Sequence, residues 1–420
     1  MKWFALAVPA ALLLSTVTAV EAAAADPAPT NVQITWKDST FEFVHVTWDE
    51  EAASPNRIVL RKLGGTVEKI AWHVPAGEPN EIDLPKDVVS QVGSINGSIE
   101  IGVAVGTETG ETSPVAVSKA FDTIDAGTPR IVSFAPSGTS TLHVVWKAGT
   151  PVRKDNTLDD PLDRSAPVIF RPVYKVGTAA SVPAGQPTTG TELTFTGPKP
   201  PFDFYVMSEN EWFTGQPSDW VSAKATAFTT RIPTWAVAGS DTVISGTYAG
   251  PEYARITLQA RNSPTSPWYA VVGYDFTNHT YRFAVPSRGT RQYRVAVGNT
   301  TSAPYANDVW FGGYSAPVTT TTQQKATVSL NSYTYRNKTP VPTKLTVNPA
   351  VTGAAALQRW NGKTWVFITN VAIRGGYGTG YLSATTAGRF TYRYYVPAHT
   401  YNGLSVAAAY SPNFVLTVKP

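Results

Sequence analysis

Apolar and polar side chains alternate with a period of two along most of the chain beyond residue 26. In Val44-His45-Val46-Thr47-Trp48, one face carries Val44, Val46 and Trp48. Leu142, Val144 and Trp146 repeat that face further on. The same alternation runs through Ile99, Ile101, Val103 and Val105, and through Tyr293, Val295 and Val297. A two-residue period turns one face toward a core and the other toward water, which predicts half-buried β-strands. No stretch holds a helical period. The 33 prolines and 32 glycines fall mostly between the apolar runs, where turns belong.

The strands come in echoes. His45-Val46-Thr47-Trp48 returns as His143-Val144-Val145-Trp146, 98 residues on. Leu258-Gln259 returns as Leu357-Gln358, and Tyr293-Arg294 as Tyr392-Arg393, both 99 residues on. A repeat of this length is the size of one immunoglobulin-type sandwich, about 100 residues. Joints bearing threonine, proline and glycine divide the chain into units at 27–123, 128–229, 231–321 and 325–420. The expected fold class is therefore all-β, as four tandem immunoglobulin/fibronectin III-like β-sandwiches. Ala120-Phe121-Asp122-Thr123 is read as the end of the first unit and Ala227-Phe228-Thr229 as the end of the second. Short joints predict a semi-rigid rod.

Residues 1–25 read as a secretory signal peptide. Lys2 supplies the positive start, Phe4 to Leu14 the apolar run, and Ala22-Ala23-Ala24-Ala25 the small residues of a cleavage site. The expected location is secreted, extracellular or cell-wall associated, and no later stretch is apolar enough to span a bilayer. The chain has 0 cysteines, which excludes a disulfide framework and any thiolate metal site. The net charge of +4, spread over four units, predicts no strong field. No run of lysine or arginine exceeds two residues, so no nucleic-acid footprint is expected.

Two resemblances follow from these motifs. The first two units resemble fibronectin type III domains. They share a proline-led first strand (Pro29, Pro129), the tryptophan of the second strand (Trp48, Trp146) and a tail like G-x-S-x-P. That tail reads Gly110-Glu111-Thr112-Ser113-Pro114 in one and Gly215-Gln216-Pro217-Ser218 in the other. Ile99 and Phe202 stand where that family usually has a tyrosine. The last two units are similar to Ig-like repeats of bacterial surface proteins, through the Leu-Gln pair, Trp268 or Trp365, and the Tyr-Arg pair. Lack of cysteine and abundance of Ala, Gly, Thr and Val resemble exported proteins of Gram-positive bacteria. These likenesses imply a fold and a modular binding role, not a reaction.

Candidate chemistry is sparse. The five histidines, His45, His73, His143, His279 and His399, show no metal-ligand spacing, and no nucleophile elbow or phosphate loop is present. Asp49, Glu50 and Glu51 crowd one strand end, but a glycosidase needs two carboxyls across one cleft. The insertion after Trp146 carries Asp155, Asp159, Asp160 and Asp163, oxygen ligands dense enough to make a weak calcium candidate. Gly375-Gly376-Tyr377-Gly378-Thr379-Gly380 reads as a connection between strands, not a phosphate loop. No catalytic residue and no cofactor are expected. Loop aromatics are better candidates, because exposed rings make binding anchors. They are Trp212 and Phe213, flanked by Glu209 and Glu211; then Tyr305, Trp310, Phe311 and Tyr314; then Tyr377 and Tyr381. The expected function is that of a secreted, non-enzymatic adhesion, spacer or assembly component with an extracellular protein partner. The alternative is a carbohydrate-binding accessory protein facing a cell-surface polysaccharide.

Overall fold

The computed structural model describes residues 25–65, 67–93, 98–151, 157, 159–164, 168–213, 215, 217–301 and 307–420. The expected signal segment falls almost wholly outside them. The described chain is all-β, with Lys86–Gly93 as the one α-helix among the described residues.

In the first sandwich, Thr30–Trp36, Phe43–Asp49 and Glu81–Pro85 form one sheet, with Phe43–Asp49 central. Val67–Val74, Asn56–Lys62 and Ile99–Thr107 form the other, extended by the short strands Gly110–Glu111 and Ala116–Val117. Val44, Val46 and Trp48 point inward as the alternation requires, against Ile58, Leu60, Ile101 and Val103. The strand Ile99–Thr107 departs from the half-buried expectation, because both of its faces are covered through Gly106. Its second face includes Gly102, where a Cβ would meet Val115 and Val59 side chains at 2.6 and 2.8 Å. Glu100 is buried there, with its carboxylate 2.9 Å from Arg61 Nε.

The chain divides into two compact units, and the division does not follow sequence order. The first contains residues up to Thr128 together with Gly149–Ile169 and Ser208–Gly215. The insertion after Trp146 and the loop holding Trp212 therefore fold with the first sandwich, not as free ends of the second. The second unit contains Pro129–Ala148, Phe170–Met207 and everything from Gln216 onward.

Within the second unit, Arg130–Ser137, Thr141–Lys147 and Glu192–Thr196 make a three-stranded sheet. The facing sheet runs Val182–Pro183, Ile169–Lys175, Phe202–Glu209 and Val221–Ala225. It then continues with two strands from much later in the sequence, Asp308–Phe311 and Thr300–Thr301. Asp308–Phe311 pairs in parallel with Val221–Ala225, from Ser222 opposite Asp308 to Ala225 opposite Phe311. A strand edge that would stand bare, and so invite foreign strands, is thus covered from within the chain.

The third and fourth sandwiches share one plan. Ala227–Arg231, Asp241–Ala249 and Thr280–Pro286 form one sheet of the third. Ala227-Phe228-Thr229 therefore opens the third sandwich, and the boundary expected after residue 229 moves upstream. Phe228 packs against the third core, edge-on to Tyr281 at 6.1 Å. In the fourth, Trp365–Arg374 turns through Gly375 and Gly376 into Tyr377–Leu382. Both glycines have positive φ, +56° and +86°, as a two-residue hairpin turn of the primed kind demands. The pairing of Ile373 with Gly378 and of Arg374 with Tyr377 joins the two faces of this sandwich into one nine-stranded sheet.

One serine clip recurs in all four sandwiches. Ser113, Ser218, Ser315 and Ser411 each accept through Oγ from the backbone N–H of Val105, Val206, Val295 or Tyr394, at 2.8–2.9 Å. Each hydroxyl then donates to the carbonyl of the residue that follows it. The clip satisfies an amide where the strand ladder breaks, which explains the serine of the G-x-S-x-P tails.

Candidate functional site

The echoes of the third and fourth sandwiches meet on one sheet face. In the third, Arg294 lies over Trp268 at 4.2 Å and over Tyr314 at 3.8 Å, between the two rings. Gln259 Oε1 accepts from Arg294 Nε at 2.8 Å. In the fourth, Arg393 lies over Trp365 at 4.2 Å and Tyr410 at 3.8 Å, and Gln358 Oε1 accepts from its Nε at 2.8 Å. Gln259 faces Arg294 and Gln358 faces Arg393 across paired strands. Tyr314 and Tyr410 each stand one residue before a clipped serine. The fourth row is longer, since Trp360 packs on Trp365 at 5.5 Å and Tyr395 on Tyr410 at 5.1 Å.

The Leu-Gln pair has a second role. The strand pairing shifts register between Leu258 and Gln259, and again between Leu357 and Gln358. Each shift leaves an extra residue on the partner strand, Val271 or Ile368, and both are exposed. A bulge at these positions twists the strand and re-aims its side chains.

A guanidinium between two rings contributes about 0.5–2 kcal/mol, more as water is excluded. We expect Arg393→Ala to destabilise the fourth sandwich by about 1–2 kcal/mol through lost stacking and packing. The exposed Arg389, replaced in the same way, should change it by under about 0.5 kcal/mol. Urea unfolding followed through tryptophan fluorescence reads both.

The other expected site residues are scattered. Trp212 is buried, at 1% exposure, in the core of the first unit, so the loop does not offer it as an anchor. Phe213 packs partly against that same core. Glu211 is buried and Glu209 half-buried. Burial pushes the Glu211 carboxyl up, the nearby Asp163 and Asp122 add to this, and Arg164 opposes it. Phe311 is also buried, at 1%, beside Phe202. It is the covering strand described above that takes it inside. Trp310 is half-buried under Lys224 Nζ at 5.3 Å, and the same ammonium reaches Asp308 at 2.7 Å. Tyr314 is exposed as the outer rung of the third ladder. Tyr305 lies outside the described residues.

Among the described residues, Tyr377 and Tyr381 are the expected anchors that stand free on a sheet face, 69% and 66% exposed. Asp159 and Asp163 are exposed, Asp160 is buried and binds amides, and Asp155 lies outside the described residues. Among the described residues, no group of three or more His, Asp or Glu is arranged to hold a metal ion.

His45 and His143 hold equivalent outward positions. His45 Nδ1 is 2.9 Å from Asp83 Oδ1, and His143 Nδ1 is 2.8 Å from Thr194 Oγ1. Lys37, bonded to Asp83 at 2.5 Å, holds that carboxyl below its usual range, with His45 adding to the effect. A shallow cavity of about 420 Å³ beside them is lined by His45, Trp72, His73, Glu78, Glu81 and Asp83. Sequence reading missed this acidic hollow, because its residues come from three strands that share no motif. The strand-end carboxylates are structural: Glu50 Oε2 accepts from Asn56 at 2.9 Å, and Asp49 Oδ2 from Asn31 at 3.1 Å.

No family model matches the chain, and no curated protein matches it. Among solved structures, the chicken CNTN1 FN1-FN3 domains match at 12% identity, over 71% of this chain and 99% of that one, with a TM-score of 0.23. The sandwich fold accordingly stands on the strands, cores and clips themselves.

Proposed function

We propose that the chain is an exported, non-enzymatic modular protein serving as an extracellular adhesion, spacer or assembly component through protein–protein contacts. One observation supports this most. The strand Tyr269–Phe276 ends its sheet, pairing among the described residues only with Ala254–Arg261. It exposes Tyr269, Val271 and Tyr274. An apolar edge of this length is a template for strand addition, in which main-chain bonds give affinity and alternate side chains give selectivity. Co-purification from the native culture medium tests it. A stoichiometric protein partner that Val271→Lys releases is the expected result; a wild-type chain that retains no protein ends the reading.

A second reading, as a carbohydrate-binding accessory protein, is favoured by Tyr377 and Tyr381. Their rings are exposed on one strand and one sheet face, as stacking on sugars requires. Retention on insoluble chitin, cellulose or peptidoglycan tests this reading.

A further inference from the structure

The small net charge conceals opposed blocks. Residues 26–230 carry sixteen lysines and arginines against twenty-five carboxylates, and residues 231–321 seven arginines against four. Residues 325–420 carry ten lysines and arginines and no aspartate or glutamate. The +4 total is what remains after cancellation, so the expectation of a weak field fails for the last sandwich. Nine of its ten cations are exposed, and the tenth, Arg393, is the ladder residue. No carboxylate side chain within this sandwich can neutralise them.

Several of these cations line up with the free tyrosines. Tyr377 and Tyr381 point the same way from Tyr377–Leu382, four positions or about 13 Å apart. On the adjoining strand, Thr346 lies opposite Tyr377, Lys344 opposite Thr379, and Pro342 opposite Tyr381. Lys344 therefore stands between the rings, outward and exposed. Across the hairpin Arg374 pairs with Tyr377, again outward. Beyond Tyr381, the backbone amide of Lys338 bonds to the carbonyl of Ala384 at 2.8 Å, which puts a third cation near that end. The sequence of groups across the face is Arg374, Tyr377, Lys344, Tyr381, with the Lys338 backbone near the far end.

We propose that this face binds an extended acidic polysaccharide, a glycan chain carrying repeated carboxylate or phosphate groups. The proposal rests on the carbohydrate reading above and names its ligand class. Flat rings stack on sugar faces, and the interleaved cations meet the anionic substituents. Charge complementarity selects the ligand, since a neutral glycan gains nothing from nine exposed cations with no carboxylate side chain beside them in the sandwich. The third sandwich has the same ladder but four carboxylates, so the ladder belongs to the fold and the charge to the binding.

The test uses the full mature chain with polygalacturonate, neutral dextran and single-stranded DNA, at 50 and 300 mM NaCl. Polygalacturonate should bind at least about tenfold tighter than either alternative, with affinity falling steeply as salt rises through counterion release. Lys344→Glu should weaken it at least about tenfold. The double variant Tyr377→Ala, Tyr381→Ala should do the same, because stacked rings contribute most of the contact. Arg255→Glu in the third sandwich should leave binding unchanged, and unaltered thermal transitions would show that the variants fold. Equal binding of dextran overturns the proposal while leaving the carbohydrate reading intact. No glycan binding overturns both. DNA bound as tightly as the glycan, or a Lys344→Glu chain that binds normally, also overturns it.

Discussion

Trp212→Ala will destabilise the first compact unit by about 3–5 kcal/mol, the cost of emptying a large buried aromatic site. The indole stacks on Phe121 at 6.0 Å, with planes 13° apart, and packs on Trp36 at 4.8 Å. Trp36 in turn donates from Nε1 to the Leu162 carbonyl at 2.7 Å, and Leu162 is fully buried. Losing Trp212 therefore loosens contacts from the first sandwich and from the insertion together. Asn210 shapes the loop that delivers it. Its Oδ1 accepts from the amides of Trp212 and Phe213, and its Nδ2 donates to the Ile124 carbonyl. The buried Trp212 Nε1 has no hydrogen-bond partner among the described residues. Trp212→Phe, which removes that donor and keeps a ring, should consequently cost much less than alanine. Urea unfolding that gives Trp212→Ala a penalty under about 1 kcal/mol, a surface-like value, would refute the placement.

The same tryptophan shows where sequence reading stopped. Alternation located the strands because burying one face of a sheet is a local requirement, visible in every second residue. Residues such as Val44, Val46, Trp48, Leu142, Val144 and Trp146 all lie inside as expected. The serine of the G-x-S-x-P tail was legible in two sandwiches, since a neighbouring glycine or proline marked it. Ser315 and Ser411 make the same clip; Gly313-Tyr314-Ser315-Ala316-Pro317 carries the pattern in full and was legible too, whereas Ala409-Tyr410-Ser411-Pro412 lacks the glycine. Leu-Gln and Tyr-Arg were legible as echoes, whereas their meaning was not. Gln358 and Arg393 are 35 residues apart, and only the strand pairing makes them neighbours.

Loop aromatics failed as a class for a physical reason. A tryptophan in a polar loop has two ways to leave water, a ligand or a remote core, and sequence distance hides the second. Trp212 reached a core built mainly from residues 32–121. Phe311 reached Phe202, more than one hundred positions earlier, by becoming part of an added strand. Tyr377 and Tyr381 have neither option, because their strand turns its inward positions over to Gly378 and Gly380. At Gly380 a Cβ would stand 2.3 Å from the Tyr394 hydroxyl, so the large rings are forced to the other face. That geometric exclusion is why the exposed pair carries the binding proposal.

Stability of the first unit should rise as pH falls from 8 to 5, the reverse of ordinary acid denaturation, and Asp160→Asn should remove most of the dependence. Each Asp160 oxygen accepts one backbone amide at 2.7 Å, from Leu162 and from Asp122. Those bonds favour the carboxylate, yet burial outweighs them, and Asp163 and Asp122 add repulsion, so the carboxyl is pushed up to about 7. In the unfolded chain an aspartate titrates near 3.9. Between those values the folded state holds a proton that the unfolded state has released. The contribution is therefore complete below about pH 4 and is lost as pH rises through about 7. A shift of that size corresponds to at most roughly 4 kcal/mol, of which lowering the pH from 8 to 5 recovers no more than about 3 kcal/mol. Glu211, pushed up by the same burial, acts in the same direction. Asparagine at 160 keeps one acceptor and has no charge to bury, so the variant should lose one amide bond and show a flatter profile, with the Glu211 part remaining. Urea midpoints of both chains at pH 5, 6, 7 and 8 measure the difference. A wild-type first transition equally stable at pH 5 and pH 8 would show that the Asp160 carboxylate is solvated and that the insertion does not seal over it.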